Sequence, residues 1–337
     1  MLLIPLLCNT HNKQSTREKW NLVAMHKSHI GFAILFGFIG ILPQLIYWKI
    51  ATGSFIYEIG SRWDFLMPHF QVLFGWEKGW FVYTPVTIFF IVGMFFIKQY
   101  PFRNVVLWYG LLNIYIIIAW HLWTYAASYS ARALVESYPV LAFPLTAFIQ
   151  RYYHSKWRYL CYTVSIYLTS VNIFQIWQYS VNILHYEDMN HKYYSHIYLK
   201  SNPMPLDMSL LDTHDFLRSE KGYYKTTIAK LVNASDSILY NKPIKVYAMY
   251  AWLKVESTIM PANTYWDGHL CVDLKNGDSL KHVAVRLHNG ITRPDAANKY
   301  AFYIEVPRYF QHSQLSIYID PHKDEVVKEL RITQLIK

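Results

Sequence analysis

The sequence predicts two halves of different class. Residues 30–184 read as a membrane all-α bundle of about five transmembrane helices, and residues 207–337 as an all-β sandwich of jelly-roll type outside the cytoplasm. Three observations predict this. Charge is divided unevenly: residues 1–184 hold 13 Lys/Arg and 5 Asp/Glu, residues 185–337 hold 19 and 17. Long uncharged apolar runs occur only in the first half. Short aromatic and β-branched runs, separated by turn residues, fill the second. The 337-residue chain is 53% hydrophobic and 16% charged, where a soluble domain carries about 25% charged residues. A disordered chain, a coiled coil and an ordinary cytosolic enzyme are thereby excluded. The net charge of +10 divides as +8 and +2, and its basic residues sit between apolar runs rather than along one face, so no nucleic-acid partner is expected.

Residues 1–29 form a basic segment, with Lys13, Arg17, Lys19 and Lys27 against Glu18. Its first seven residues (MLLIPLL) are too short to cross a bilayer and resemble the end of a helix whose beginning is missing. A spanning helix needs roughly 20 mostly apolar residues, and five stretches qualify: 30–48, 79–97, 105–123, 133–150 and 159–184. Pro43, Pro85, Pro139 and Pro144 fall in or near them, which fits kinked helices around a site as well as the general tolerance of membrane helices for proline. Lys98 and Arg103 follow the second stretch without an acid, and Arg151, Lys156 and Arg158 follow the fourth. Loops rich in Lys/Arg face the cytoplasm, so five crossings place the residues from about 185 onward outside the cytoplasm.

Residues 185–206 are a polar, proline-containing linker. Strands are expected over 245–256 (KVYAMYAWLKVE), 268–274, 281–287, 300–306, 314–319 and 329–335, with turns at Asn276-Gly277, Asn289-Gly290 and Arg293-Pro294. Cys8, Cys161 and Cys271 are too widely spaced for a zinc site, and no phosphate-binding glycine loop, nucleophile elbow or HExxH motif is present. Asp212, His214 and Asp215 (DTHD) are consecutive polar residues that suit a cap or turn better than a metal site. No metal and no cofactor is expected.

Candidate chemistry gathers at the outer ends of the apolar runs. The loop 49–78 carries Glu58, Arg62, Asp64, His69, Glu77 and Lys78. His69 and Lys78 suit a phosphate, and a loop anchored among lipid headgroups suits the same residues equally. Arg132 and Glu136 are four apart, one above the other if that stretch is helical. They form either a structural ion pair, or a phosphate grip in which Glu136 orients Arg132. Trp80, Tyr83 and Trp123 belong to an aromatic belt at the headgroups, or to the wall of a sugar site.

Residues 43–53 (PQLIYWKIATG), Pro68-His69, 76–86 (WEKGWFVYTPV) and 129–145 (YSARALVESYPVLAFPL) resemble, in order and spacing, the C-terminal half of bacterial polytopic membrane glycosyltransferases. These are the Bacteroidetes-type proteins similar to protein O-mannosyltransferases and the aminoarabinose transferase of lipid A. Residues 315–332 (LSIYIDPHKDEVVKELRI) resemble the final strand of members with an appended outer β-domain. The resemblance implies sugar transfer from a polyprenyl-phosphate donor in the membrane to a glycan, lipid or protein acceptor, with Arg132, Lys78 and His69 near the donor phosphate. The family's catalytic carboxylate precedes the region matched, so no catalytic residue is carried over. The chain is expected to be inactive without a separate N-terminal half. The alternative is a non-catalytic, membrane-anchored carbohydrate-binding or adhesion protein. A polysaccharide flippase or polymerase ranks below both, because the spans are few and no internal repeat is visible.

Overall fold

The computed structural model describes residues 10, 12–56, 60, 62–246, 248, 250–260, 268–288, 296–321 and 325–337. Residues 1–7, Cys8, Glu58, Asn289-Gly290 and Arg293-Pro294 lie outside them. The chain divides into two compact units, Met1–Asn172 and Ile173–Lys337.

In the first unit, α1 (Lys13–Met25) begins with a capping box in which Asn12 Oδ1 accepts from Ser15 N at 2.8 Å. Helix α2 (Lys27–Thr52) runs 26 residues to Gly53 at φ +79° and has no buried residue. After it come α3 (Gln71–Phe74), α4 (Trp80–Tyr83), α5 (Ile88–Gly93), α6 (Arg103–Ile118), α7 (Tyr138–Tyr153) and α8 (Arg158–Ser180). The core packs Trp80, Val72, Ile118, Ala131, Leu134 and Leu141. Helices α5 and α7 approach so closely that a Cβ on Gly93 would lie 2.0 Å from the Pro144 carbonyl oxygen.

The five-span bundle is not formed. Among the described residues only Lys27–Thr52 and Arg132–Tyr153 are long and apolar enough to cross a membrane. The stretch 79–97 breaks into α4, a 3₁₀ turn Pro85–Thr87, α5 and a second turn Ile97–Gln99. Pro85 has no N–H for the ladder and keeps Thr84 out of the helical conformation, at φ −129° and ψ 62°. Helix α6 has 16 residues, roughly 24 Å against a hydrocarbon core of about 30 Å. Helix α8 is long enough but too polar, with Gln175 and Gln178 buried along it. The count of five crossings, on which the outward placement of the C-terminal half rested, falls with the bundle.

The second unit begins within the last turns of α8 and continues with α9 (His191–Ile197), capped by Asn190, and the single turn α10 (Pro205–Met208). Eight strands follow: β1 Tyr224–Ala234, β2 Ile238–Lys245, β3 Ala251–Met260, β4 His269–Asn276, β5 Ser279–Arg286, β6 Asn298–Glu305, β7 His312–Asp320 and β8 Val326–Ile336. They make two four-stranded antiparallel sheets, β1-β8-β3-β6 and β2-β7-β4-β5. This strand order is the double Greek key of a jelly roll, so the β-sandwich expected from the second half is present. Strict alternation sends Ala251, Leu253, Val255 and Ile259 of β3 inward and Trp252, Lys254, Glu256 and Thr258 outward. Phe302, Ile304, Leu330 and Ile332 of the first sheet share one core with Leu270, Val272, Leu274, Leu315, Ile317 and Ile319 of the second.

Candidate functional site

In the first unit, the residues singled out from sequence serve mostly as structure. Lys78 is 1% exposed, and its Nζ donates to the carbonyls of Ala126 at 2.9 Å and Ser128 at 2.7 Å. Trp80 is in the core and its Nε1 donates to Tyr138 Oη at 3.1 Å. Tyr83 is buried; its hydroxyl donates to the Trp76 carbonyl, and its own carbonyl accepts from Tyr129 Oη and Asn172 Nδ2. His69 and Trp123 are brought together, their rings stacked at 6.2 Å. The loop that carries His69 is pinned to the end of α6 by Asp64 N donating to the Ala119 carbonyl and His69 N to that of Ile118. Arg132 and Glu136 are both exposed and form no ion pair with any described residue. They lie on a 3₁₀ helix, Arg132–Ser137, whose three residues per turn separate i from i+4 by about 120°.

The second unit carries a groove on the outer face of the β1-β8-β3-β6 sheet. The strand register lays side chains there in cross-strand rows: Lys225, Leu335, Trp252 and Glu305; Thr227, Thr333, Lys254 and Tyr303; Lys230, Arg331, Glu256 and Ala301. The next row ends in Glu329, Thr258 and Lys299. Met204, Pro205 and Leu206, in and beside α10, stand over this face and enclose about 350 Å³ against Glu256, Thr258, Lys299, Glu329 and Arg331. A further space of about 270 Å³ continues between 202–209 and Lys299–Ala301.

The groove mixes apolar side chains with the charged Glu256, Lys299, Glu329 and Arg331, and ion pairs fix the charged side chains in and beside it. Lys254 Nζ lies 3.0 Å from Glu220 Oε1 and 2.9 Å from Glu256 Oε1. Tyr303 Oη donates to Glu220 at 2.7 Å, and Lys225 also pairs with that carboxylate. Burial pushes the Glu220 carboxyl up. The hydrogen bonds from Lys225, Tyr303 and Lys254 outweigh it and hold the group at about 2. Glu329 is shared by Lys230 at 3.7 Å and Arg331 at 3.4 Å. Trp252 packs edge-on against Tyr303, centroids 6.5 Å apart. Exposed arginine and carboxylate beside aromatic edges can bind a hydroxyl-rich ligand through several directed hydrogen bonds at once.

The segment covering the groove is itself tied to the sandwich. Asp212 accepts from Arg286 Nε at 2.6 Å and from its backbone N at 3.0 Å, while Asp188 takes the same guanidinium at 2.9 Å. Burial raises the Asp212 carboxyl, and Arg286 offsets part of that rise. Asp215 binds Lys281 Nζ at 2.6 Å and Glu305 N at 2.9 Å. The DTHD motif therefore fastens this segment to β5 and β6. Among the described residues no group of three or more His, Cys, Asp or Glu could hold a metal.

Sequence reasoning missed the groove. Its one legible signal was the alternation Trp252-x-Lys254-x-Glu256-x-Thr258, which marks a strand with a decorated outer face.

No family model and no curated protein matches the sequence. Among solved structures, the chain is similar to the C-terminal CBM6 of LamC, a laminarinase of Zobellia galactanivorans. The identity is 14% and the TM-score 0.20, over 34% of this chain and 94% of that one. It is similar also to the carbohydrate-binding module CBM6cm-2 of Cellvibrio mixtus lichenase 5A, solved with cellotriose, at 13% identity and TM-score 0.20 over 33% and 86%. A pentameric capsid protein from metagenomic phage sequences aligns at 13% identity and TM-score 0.19 over 33% and 68%.

Proposed function

We propose that this chain is a membrane-anchored glycan-binding protein whose jelly-roll sandwich holds a saccharide along the outer face of the β1-β8-β3-β6 sheet. The observation that carries the reading is the groove over that face. Its floor is a rigid sheet, its wall is the α10 segment held by ion pairs, and its polar side chains are preoriented by one another. A glycan with many hydroxyls needs such a surface, because binding replaces its water shell by directed hydrogen bonds.

The anchor is α2. Its 26 residues span roughly 39 Å, enough for the hydrocarbon core, and its side chains have no protein to pack on. Other helices of the first unit also expose large apolar groups, including Trp108, Leu111 and Ile116 on α6 and Leu160 and Ile166 on α8. Surface of that kind calls for a non-aqueous cover, and lipid supplies it. Sugar transfer from a polyprenyl-phosphate donor gains no support from the site geometry. Lys78 is engaged by backbone carbonyls, and Trp80 and Tyr83 are core residues rather than a substrate wall.

The test is a glycan array probed with the full chain in detergent micelles, followed by titration calorimetry on any hit. Arg331→Ala removes an exposed charged donor of the groove. A hydrogen bond to a charged group contributes about 1.5–3 kcal/mol, so affinity should fall at least tenfold with no change in the circular dichroism spectrum. Binding that Arg331→Ala and Glu256→Gln leave untouched would place the glycan elsewhere, and a blank array would end the reading.

A further inference from the structure

A second opening beside the groove has charges that do not balance. About 620 Å³ is enclosed by His196 and Lys200 at α9, the segment 216–221, Lys225 of β1 and Tyr303 of β6, and the space shares Met204 and Leu206 with the groove. Four permanent cations line it, Lys200, Arg218, Lys221 and Lys225, against two carboxylates, Asp207 and Glu220.

Both carboxylates are already engaged. The Asp207 side chain is only 5% exposed. It accepts from Lys200 Nζ at 2.9 Å and Met204 N at 3.1 Å, and holds His196 Nδ1 at 3.1 Å. Glu220 takes Lys225, Lys254 and Tyr303 together. Neither has a remaining role as a counter-ion for the rim. Arg218 and Lys221 are exposed there and form no ion pair with any described residue.

We infer that this opening receives an anionic substituent, a uronate carboxylate or a sulfate ester, of the glycan laid along the adjoining groove, with Arg218 and Lys221 as its recognition pair. The inference rests on the glycan-binding reading and narrows it to acidic saccharides. Two cations without partners flanking an open cavity create a local positive potential. The planar guanidinium of Arg218 offers two parallel N–H donors to a carboxylate or sulfate, while Lys221 adds a point charge. Because Asp207 and Glu220 fix the surrounding lysines, the anion meets a site with little left to reorganise.

The experiment compares matched ligands on the full chain in detergent: oligogalacturonate against its methyl ester, and sulfated carrageenan oligosaccharide against its desulfated form. The acid form of at least one pair should bind tenfold or more tightly in low salt, and the preference should shrink as NaCl is raised. The Arg218→Ala, Lys221→Ala double substitution should erase that preference and leave the affinity for the uncharged form unchanged. Both residues are solvent-facing, so the fold should survive; the melting temperature checks this. Equal affinity within both pairs overturns the inference while leaving glycan binding intact. A preference that survives the double substitution overturns the assignment of Arg218 and Lys221. If neither pair binds and a wider glycan array is also blank, the glycan-binding reading itself fails.

Discussion

Lys78 shows how burial can turn a charged side chain into a structural clamp. The carbonyls it holds belong to a turn in which Tyr125, Ala126 and Ser130 have φ of 53°, 54° and 52°, a left-handed conformation that costs a non-glycine residue about 1–2 kcal/mol each. That turn persists because something outside it fixes its carbonyls. Lys78→Met keeps the length of the side chain and removes the donor. Each orphaned carbonyl then costs about 1–3 kcal/mol, so thermal denaturation should show an early loss of the first unit's helical signal. An unshifted melt would mean that the turn finds other donors. The sequence singled out Lys78 as a cation at a rim, but spacing within a loop says nothing of whether a side chain turns inward. The same limit applies to Arg132 and Glu136, whose four-residue spacing makes a pair only on an α-helix. Glu220 offers a second test. Its carboxyl is lowered in the folded state from 4.5 to about 2, so its contribution to stability is whole above about pH 4.5 and is lost as pH falls toward 2. The acid-induced weakening of the second unit across that window should flatten in Glu220→Gln, as read by urea midpoints at successive pH values.

Elements were legible where one periodicity dominated. The runs behind β3 through β8 alternate apolar and polar residues, and Asn276-Gly277 fixed the β4–β5 hairpin, where Gly277 adopts φ +57°. Strands β1 (YKTTIAKLVNA) and β2 (ILYNKPIK) gave no such signal, because both lie at sheet edges and β1 exposes Tyr224 and Val232 beside its lysines, threonines and asparagine. The helical half misled for a different reason. Hydropathy measures how apolar a stretch is, not whether the backbone stays helical through it, and Pro85 decides the second question for 79–97. Close packing then replaces length as the organising constraint, most sharply where Gly93 meets the Pro144 carbonyl. Gly93→Ala would put a methyl group 2.0 Å from that oxygen, so α5 and α7 must separate. A loss of about 1–3 kcal/mol is expected from such overpacking, measured by denaturation in detergent, and Gly31→Ala on α2 serves as the control. Nothing lies within 4 Å of a Cβ at Gly31.

At the scale of the whole molecule, the two units bury their apolar surface by different means. The sandwich closes its own core between two sheets. The first unit leaves apolar side chains outside, above all on α2, where Ile34, Phe36, Phe38, Ile39 and Ile41 are each about half exposed or more. A helix with no buried residue and no charge between Lys27 and Lys49 suits a bilayer, which is the anchoring role proposed for it. The reading can be isolated from the rest of the chain by fusing residues 20–56 to a soluble reporter and extracting membranes at alkaline pH. The fusion should stay in the membrane pellet. Ile34→Arg with Phe38→Arg places two charges near the helix centre, each costing about 2.5–3.5 kcal/mol on insertion, which outweighs the margin of one apolar helix. That variant should appear in the supernatant. A fusion released without the arginines would show that α2 is covered by protein instead of lipid, and the anchor would have to be sought in α7.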